Sequence, residues 1–218
     1  MRMGPHNVDN VNMTSEHRTP DADKAPPDRR YHHGNLRSAL IEAGLAALEQ
    51  GDTAELSLRA VARSVGVSAN AAYRHFADKD ALLSALAAEG FRRFAARQAE
   101  AAASSADPTQ ARTASGRAYI GFAQEHSALF RLMFSHFLIA SANPELQQTA
   151  LEAFQGLIAA TAKEAGTAPD DERTMLAAVA RWSLVHGLSH LILDGQLAPF
   201  AGQVDHLIDG VLKLKPPA

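Results

Sequence analysis

Apolar residues recur at every third or fourth position along most of the chain, and no segment shows the strict alternation of a half-buried strand. The first apolar series predicts a helix that begins near Asn35 and ends at Gly51, because helices commonly close on a left-handed glycine. Ser57, Ser68 and Asp78 each stand in front of a further apolar series, in the position of an N-cap. The pattern therefore predicts an all-α protein.

Longer helices are predicted behind these four. Asp107-Pro108 and Asn143-Pro144 each combine an N-cap with the proline that helices favour at their first position. The segment from Phe130 to Ile139 is apolar nearly all round, which predicts a helix buried on several sides. A long helix is predicted from Asp170 to Leu193. The last predicted helix rests on one apolar series: Val204, Leu207, Ile208, Val211 and Leu212.

Composition narrows the class of protein. Residues 1–30 are polar with four prolines, which predicts a disordered tail. The chain has no cysteine, which excludes disulfides and thiolate metal sites and is typical of a reducing cytoplasm. The densest apolar run, Leu129 to Ala142, is shorter than the roughly 20 residues that span a bilayer, and the start lacks the order of a signal peptide. We therefore expect a soluble cytoplasmic protein with no membrane partner.

The net charge of −3 is unevenly distributed. Residues 28–98 carry ten Lys and Arg against eight Asp and Glu, whereas residues 99–218 carry eight against twelve. A mildly basic N-terminal part followed by an acidic C-terminal part is typical of a small nucleic-acid-binding domain attached to a body that does not contact nucleic acid.

The segment from Leu58 to Phe76 carries the strongest functional signal. It predicts a helix, a sharp turn at Gly66 and a short helix capped by Ser68, at the spacing of a helix-turn-helix. Three alanines would let the second helix approach a major groove closely, and Asn70 could form two hydrogen bonds to an adenine. Donors suited to phosphate follow in the sequence: Tyr73, His75 and Lys79. Ahead of the domain, Arg29, Arg30, His32 and His33 could form an arm to the minor groove or a solvated linker.

Residues 31–94 closely resemble the N-terminal domain of tetracycline-repressor-type (TetR/AcrR) regulators. The matching segments are Asn35 to Arg37, Ala43 to Leu45, Gly51, Leu56 to Ala62, Gly66 to Ser68, Tyr73 to Phe76 and Asp78 to Leu83. The resemblance implies a three-helix helix-turn-helix domain over residues 31–77, joined by a linking helix to a helical effector-binding and dimerisation domain over residues 78–218. It also implies phosphate contacts from Tyr73, His75 and Lys79, and base contacts from residues 68–71 and 74. Asn70 and Ala71 depart from the family, which often has Gly and then Thr or Ser there. The predicted DNA-binding residues are Ser57, Ser68, Ala69, Asn70, Ala71, Tyr73, Arg74, His75 and Lys79.

The segment from Arg181 to Leu188 resembles a Trp-x-x-x-His-Gly element in the penultimate helix of one TetR subgroup. In that subgroup this helix and the last one pack against their copies in a twofold dimer, as a four-helix bundle. The resemblance and the helical spacing together predict a homodimer. The predicted interface residues are Ala178, Arg181, Val185, Leu188, Ser189, Ile192, Val204, Leu207, Ile208 and Val211.

Aromatic residues and histidines concentrate in the body, where they could line an effector pocket or simply pack a core. The candidate ligand-binding residues are Phe122, His126, Phe130, Met133, Phe134, Phe137, Trp182 and His186. His186 and His190 share a helix face and could also bind a metal with His126 or His136, but a pair of polar residues in a dimer seam is the favoured interpretation. No metal and no cofactor is predicted.

These features predict a regulator that binds a double-stranded palindromic operator as a homodimer and most simply represses transcription until a small-molecule effector binds. The alternative is a DNA-bound protein-interaction module or an activator that senses no small molecule. We find no Ser–His–Asp order, phosphate-binding loop or paired carboxylates in a suitable context, so an enzyme is not predicted.

Overall fold

A computed structural model describes residues 36–51, 53–139 and 143–214, without the side chains of residues 136–139. The predicted tail, the possible basic arm and the predicted cap Asn35 lie outside these residues. The described residues form nine α-helices, a 3₁₀ segment and no strand. The helices are α1 Leu36–Gln50, α2 Leu58–Val65, α3 Ala69–Tyr73, α4 Lys79–Ala103, α5 Pro108–Glu125, α6 Ser127–Ile139, α7 Pro144–Ala165, α8 Glu172–Leu193 and α9 Val204–Lys213, with the 3₁₀ segment Ala198–Gln203 between the last two. The prediction of an all-α protein is confirmed.

The N-caps predicted from the sequence are confirmed by hydrogen bonds. The side chains of Ser57, Ser68 and Asp78 each accept a bond from the backbone N–H three residues further on, at 3.1, 3.2 and 2.7 Å. Asp107 and Asn143 do the same ahead of their N1 prolines. Each cap satisfies a backbone donor that the first helical turn leaves free, which is why such short polar signals locate helix starts.

Two helix bounds and the conformation of one helix end differ from the sequence prediction. Gly51 directly follows α1 as predicted, but it is not left-handed: among the described glycines a positive φ is found at Gly66, Gly166 and Gly195. α3 stops at Tyr73 rather than at Phe76, because the N–H groups of residues 75 and 76 both turn back to the carbonyl of Ala72, at 2.9 and 3.0 Å. α8 begins at Glu172, because Asp171 rather than Asp170 provides the cap.

The 25-residue helix α4 contributes to the packing of both halves of the protein. Its first half places Leu82 and Leu86, both fully buried, beside the helix-turn-helix, and its second half places Phe91 and Phe94 among the helices of the body. A Cβ on Gly44 of α1 would lie 2.9 Å from Leu86, so α1 and α4 pack more closely than a larger residue would allow. One continuous core therefore runs from α1 to α7.

A smaller core lies between α5, α8 and α9, where Ile120, Leu188, Ile208 and Leu212 are buried together. It attaches the last helix to the body on the side of α8 that faces α5. The opposite side of α8 remains at the surface.

Candidate nucleic-acid interface and the helical body behind it

The helix-turn-helix is formed by α2, a left-handed turn and α3. Gly66 adopts φ 80° and ψ 26°, a conformation that side chains with a Cβ rarely adopt, and the N–H of Val67 returns to the carbonyl of Ala62 at 3.0 Å. Val61 and Ala72 are buried between the helices, so the inner face of α3 is fixed against α2. The outer face of α3 is left to solvent, as recognition of a groove requires.

The structure places the predicted DNA-binding residues on or beside this outer surface. Six of them are exposed: Ser57, Ser68, Asn70, Tyr73, Arg74 and His75. Three are half-buried: Ala69, Ala71 and Lys79. The two serine hydroxyls already accept the cap bonds, so toward a phosphate each would act as a donor. The Lys79 ammonium donates to the carbonyl of Ala54 at 3.0 Å, which holds this cation beside the start of α4.

Two exposed cations on α2, Arg59 and Arg63, were missed by the sequence reasoning. They lie four residues apart and so share one helix face. The signal available in the sequence was the amphipathic pattern of α2, in which the buried series 58, 61 and 62 leaves 59 and 63 outside.

The arginines of this surface differ from most of those in the body in that they form no ion pair with a carboxylate of the described chain. Among the described residues, eight arginines form ion pairs with carboxylates: Arg37, Arg92, Arg93, Arg97, Arg112, Arg117, Arg131 and Arg181. Four described arginines have no such partner within the described ranges: Arg59, Arg63, Arg74 and Arg173. Three of these four lie in the helix-turn-helix. Because an unpaired guanidinium is free to replace the counterions of a nucleic acid, this surface is the part of the described chain best suited to phosphate.

Ion pairs also connect α1, the helix that precedes the helix-turn-helix, to the body. Glu145, in the first turn of α7, accepts from Arg37 of α1 at 2.5 Å and pairs with Arg92 of α4. The Arg37 guanidinium lies 5.5 Å from the ring centre of Phe76, just behind α3. The start of α7 is therefore in contact with α1, whose Arg37 in turn contacts Phe76 behind the recognition helix α3.

Most of the candidate ligand-binding residues meet in one packed cluster. Phe130 and Met133 are fully buried and Phe122 nearly so, whereas Phe134, Trp182 and His186 are half-buried. Ring centres are separated by 4.9 Å between Phe130 and Phe134 and by 4.5 Å between Phe134 and His186. These distances are those of aromatic rings in direct contact. The side chain of Phe137 lies outside the described residues.

His126 lies away from the centre of this cluster. Its ring contacts Phe122, but its Nδ1 lies 3.0 Å from the Oε1 atom of Glu49 on α1. The contact links the end of α5 to α1, the helix that precedes the helix-turn-helix. A shallow cleft of about 140 Å³ opens there, lined by Leu45, Glu49, Arg93, Arg97, Phe122, His126 and Leu129.

Tyr119 supplies a polar centre that the sequence reasoning missed. Its hydroxyl lies 2.8 Å from Nδ1 of His186 and accepts a hydrogen bond from the indole of Trp182 at 3.3 Å. Burial raises the pKa of the Tyr119 hydroxyl, and burial together with the charge of His190 lowers the pKa of His186. Trp182 and His186 are neighbours on one face of α8, but Tyr119 lies more than 60 residues before them, so only the packing of α5 against α8 brings its hydroxyl to them.

His186 and His190 are in contact, with ring centres 4.7 Å apart. In the described part of the chain, no group of three or more His, Asp or Glu side chains is arranged to hold a metal ion.

The predicted interface residues divide by exposure. Ala178 and Ser189 are fully buried and Leu188 and Ile208 nearly so, within the chain's own core. Arg181 pairs with Glu164 on α7. Half-buried positions complete the set: Val185, Ile192, Val204, Leu207 and Val211.

A different apolar series on α8 faces solvent. Leu176 is 62% exposed, Val179 and Leu191 are 40% exposed and Leu184 is 38% exposed. Gly187 lies in the same stripe with open space where a Cβ would be. By length and composition α8 could cross a membrane, and 17% of its apolar window is buried inside the chain. Arg181, His186 and His190 on this helix each contact other helices of the chain, so α8 has one face packed on the body and one apolar face uncovered.

A capped helix, a left-handed glycine turn and a second helix with an exposed, cation-rich outer face define a helix-turn-helix DNA-binding protein. The comparisons with known proteins agree. The family model described as bacterial regulatory proteins of the tetR family matches residues 40–86, and the tetracyclin repressor-like C-terminal domain matches residues 112–214. The chain belongs to the TetR family of transcriptional regulators, whose members are DNA-binding regulators rather than enzymes.

Solved structures share the fold over most of the chain. A protein of unknown function from Rhodococcus sp. RHA1 is 29% identical, with a TM-score of 0.71, over 85% of this chain and 98% of that one. A tetR-family transcriptional regulator from Streptomyces coelicolor is 19% identical, with a TM-score of 0.65, over 81% and 76% of the two chains. The transcriptional regulator FadR from Bacillus subtilis, solved in complex with stearoyl-CoA, is 13% identical, with a TM-score of 0.57, over 82% and 99%. No curated protein matches the sequence significantly.

Proposed function

We propose that this protein is a cytoplasmic homodimeric repressor that binds a palindromic operator and releases it when a small-molecule effector binds the body. Residues 31–77 form its DNA-binding domain and residues 78–218 its effector-binding and dimerisation domain. The observation that carries the proposal is the concentration of unpaired arginines on the helix-turn-helix, while arginines elsewhere in the described chain are almost all paired.

In the complex, α3 enters the major groove. Asn70 is exposed on α3 and reads a base, while Tyr73, His75 and Lys79 hold the phosphate backbone. The unpaired Arg59 of α2 adds a cation that the sequence prediction did not include.

The dimer forms through the exposed stripe of α8, extended by α9. Its exposed apolar residues, Leu176, Val179, Leu184 and Leu191, lie together with Gly187 within one broad face of the helix. Gly187 allows a partner helix to approach closely. The predicted residues that are buried in the chain's own core support this face from behind and contribute little area to a partner. Such a twofold dimer presents two recognition helices to half-sites about one helical turn apart, roughly 34–36 Å.

The effector acts on the aromatic cluster between α4, α5, α6 and α8. Because its rings are already in contact, a ligand binds by favouring a state in which these helices separate, and it shifts the equilibrium only by its difference in affinity between the two states. FadR from Bacillus subtilis, which shares the fold, was solved with stearoyl-CoA, and this supports a role for the body in binding a small molecule.

The proposal is tested by selecting duplexes from a random DNA library on the full-length protein and measuring the affinity of the enriched sequence by mobility shift. We expect an inverted repeat that binds a dimer, and we expect the Tyr73→Phe variant to bind all sequences more weakly than the wild type, by a similar factor. Failure to enrich any sequence would refute DNA recognition. Enrichment of a single half-site bound by a monomer would refute the dimer instead.

The complex with the same operator also distinguishes the repressor from the alternative, an interaction module that senses no effector. A panel of metabolites is added to the protein–DNA complex, and release by one of them, with a matching rise in thermal stability of the free protein, supports effector control. Release by none of a broad panel favours the module.

A further inference from the structure

A buried cluster of two arginines and one glutamate lies where α5, α7 and α8 meet. Glu164 of α7 accepts from Arg112 of α5 at 2.9 Å and pairs with Arg181 of α8 at 2.8 Å. Arg181 also donates to the hydroxyl of Thr161 at 3.2 Å. The three charged side chains are only 16–19% exposed, whereas no other ion pair among the described residues has both partners below 20%.

The charges in this cluster do not balance. Two guanidinium groups share one carboxylate, whose two oxygens are each used once. The cluster therefore carries a net charge of +1 in a setting that is largely shielded from water. A buried charge without a counterion is unfavourable, and proteins rarely leave one in place.

The hydrogen bonds do not balance either. The Nε atoms of both Arg112 and Arg181 are buried and have no acceptor. A buried donor without a partner is rare in a folded protein and calls for a specific explanation. In each arginine the unpaired Nε lies on one edge of the guanidinium group. This edge can donate two parallel hydrogen bonds to a carboxylate or a phosphate.

One oxyanion between the two arginines would correct both imbalances. We propose that this cluster is an anion-binding site of the body and that the effector carries a carboxylate or phosphate group that binds Arg112 and Arg181. The proposal rests on the proposed function in that it assigns a chemical class to the effector. Glu164 then holds the two guanidinium groups at the right separation, and the anion supplies the second counterion.

The site also connects three helices of the effector region. Arg181 directly precedes Trp182, which packs on Phe134 and on Phe154. An anion bound to both Arg112 of α5 and Arg181 of α8 changes the position of α8 relative to α5 next to the aromatic cluster. Binding of the effector's charged group at the arginines is thereby coupled to the packing of the aromatic cluster, where the apolar part of the effector would bind.

The test observes the orphan donors directly in the wild-type protein. Protein labelled with ¹⁵N-arginine is titrated with octanoate, with mono-octyl phosphate and with uncharged octanol at constant ionic strength, and the Nε–H signals are followed by NMR. Signals of Arg112 and Arg181, assigned with Arg112→Lys and Arg181→Lys, are expected to shift and saturate with at least one of the anions and not with octanol. A response to octanoate alone assigns the site to a carboxylate, and a response to the phosphate alone assigns it to a phosphate.

Affinity variants provide the second readout. Arg112→Gln should weaken anion binding about tenfold or more, because a hydrogen bond to a charged group is lost. Arg117→Gln is the matched control, since Arg117 is also on α5 but pairs with Asp209 at the surface, and it should leave the titration unchanged. The proposal is overturned if neither anion moves the two signals, if octanol moves them equally, or if Arg112→Gln binds as the wild type does. No DNA is present, so such a failure leaves the proposed DNA binding intact.

Discussion

Removing the three unpaired arginines of the helix-turn-helix should reduce the salt dependence of DNA binding without affecting the fold. The variant replaces Arg59, Arg63 and Arg74 with Gln. None of the three has an ion-pair partner within the described residues, so the free energy of unfolding should stay close to that of the wild type. In the complex, each guanidinium that meets a phosphate releases counterions, and this is the source of the salt dependence.

The magnitude follows from the number of cations. Arg74 is expected to contact bases, so a dimer presents four guanidinium groups to phosphates, from Arg59 and Arg63 of each protomer. Each phosphate contact contributes about 0.9 to the slope of log affinity against log salt, so the effect is about 3.6 units. A slope of that size corresponds to roughly a hundredfold change in affinity between about 50 and 200 mM salt. Fluorescence anisotropy with a labelled duplex measures the slope directly, even before the operator is known.

The matched control is Arg173→Gln. Arg173 is equally unpaired but lies at the start of α8, so its loss should leave the slope unchanged. If the triple variant keeps a slope within one unit of the wild type, or if Arg173→Gln lowers it as much, unpaired charge does not locate the DNA-binding surface and the reasoning fails.

Three further predictions concern base reading, the dimer and pH. Asn70→Ala should cost on the order of 1–3 kcal/mol at one base pair of each half-site and relax specificity there, whereas a uniform loss over operator variants would place Asn70 on the backbone. Leu184→Glu should yield monomers by light scattering and weaken operator binding, while Leu151→Glu, at a leucine of α7 that is also exposed (49% against 38%), should remain dimeric. Because the pKa of His186 is lowered in the folded state, the unfolded chain binds more protons at mildly acidic pH, so stability should fall as pH drops below the ordinary histidine pKa. His186→Asn should flatten this dependence in thermal melts, and no flattening relative to the exposed control His206→Asn would contradict it.

Helix starts could be predicted from the sequence because their causes are local. The caps at Ser57, Ser68 and Asp78 need only a side-chain oxygen three residues ahead of a free N–H. The left-handed turn at Gly66 depends on one residue without a Cβ. Each of these signals involves residues only a few positions apart, and the same residues carry the family resemblance. The structure of the DNA-binding domain could therefore be predicted largely from the sequence.

The orientation of α8 could not be predicted in the same way. The helix is apolar nearly all round, so two stripes satisfy the helical period and the sequence does not say which one meets α5 and α7. The fold buries Leu188 and exposes Leu184. A charge at Leu188 would therefore unfold the chain rather than dissociate a dimer, which is why the dimer test uses Leu184.

Contacts between segments far apart in the chain could not be predicted either, because they depend on how the helices pack and not on any local pattern. Tyr119 and His186 are 67 residues apart, and Arg112 and Glu164 are 52 residues apart. Their types are unremarkable at their own positions, and no local spacing marks them. Only the packing of α5 against α7 and α8 gives them a shared environment.

The helix α4 explains how an event in the body can reach the DNA-binding surface. Its second half contributes Phe94, which packs edge-on against Tyr119 and Phe122, and its first half contributes Leu86, which packs against α1. Because protein interiors are close-packed, a shift imposed on Phe94 is passed along the helix more readily than it is absorbed by its neighbours. The ion pairs of Glu145 with Arg37 and Arg92 provide a parallel connection from α7 to α1. Coupling of this kind is reciprocal, so operator DNA must lower the affinity for an effector by the same factor by which that effector lowers the affinity for DNA.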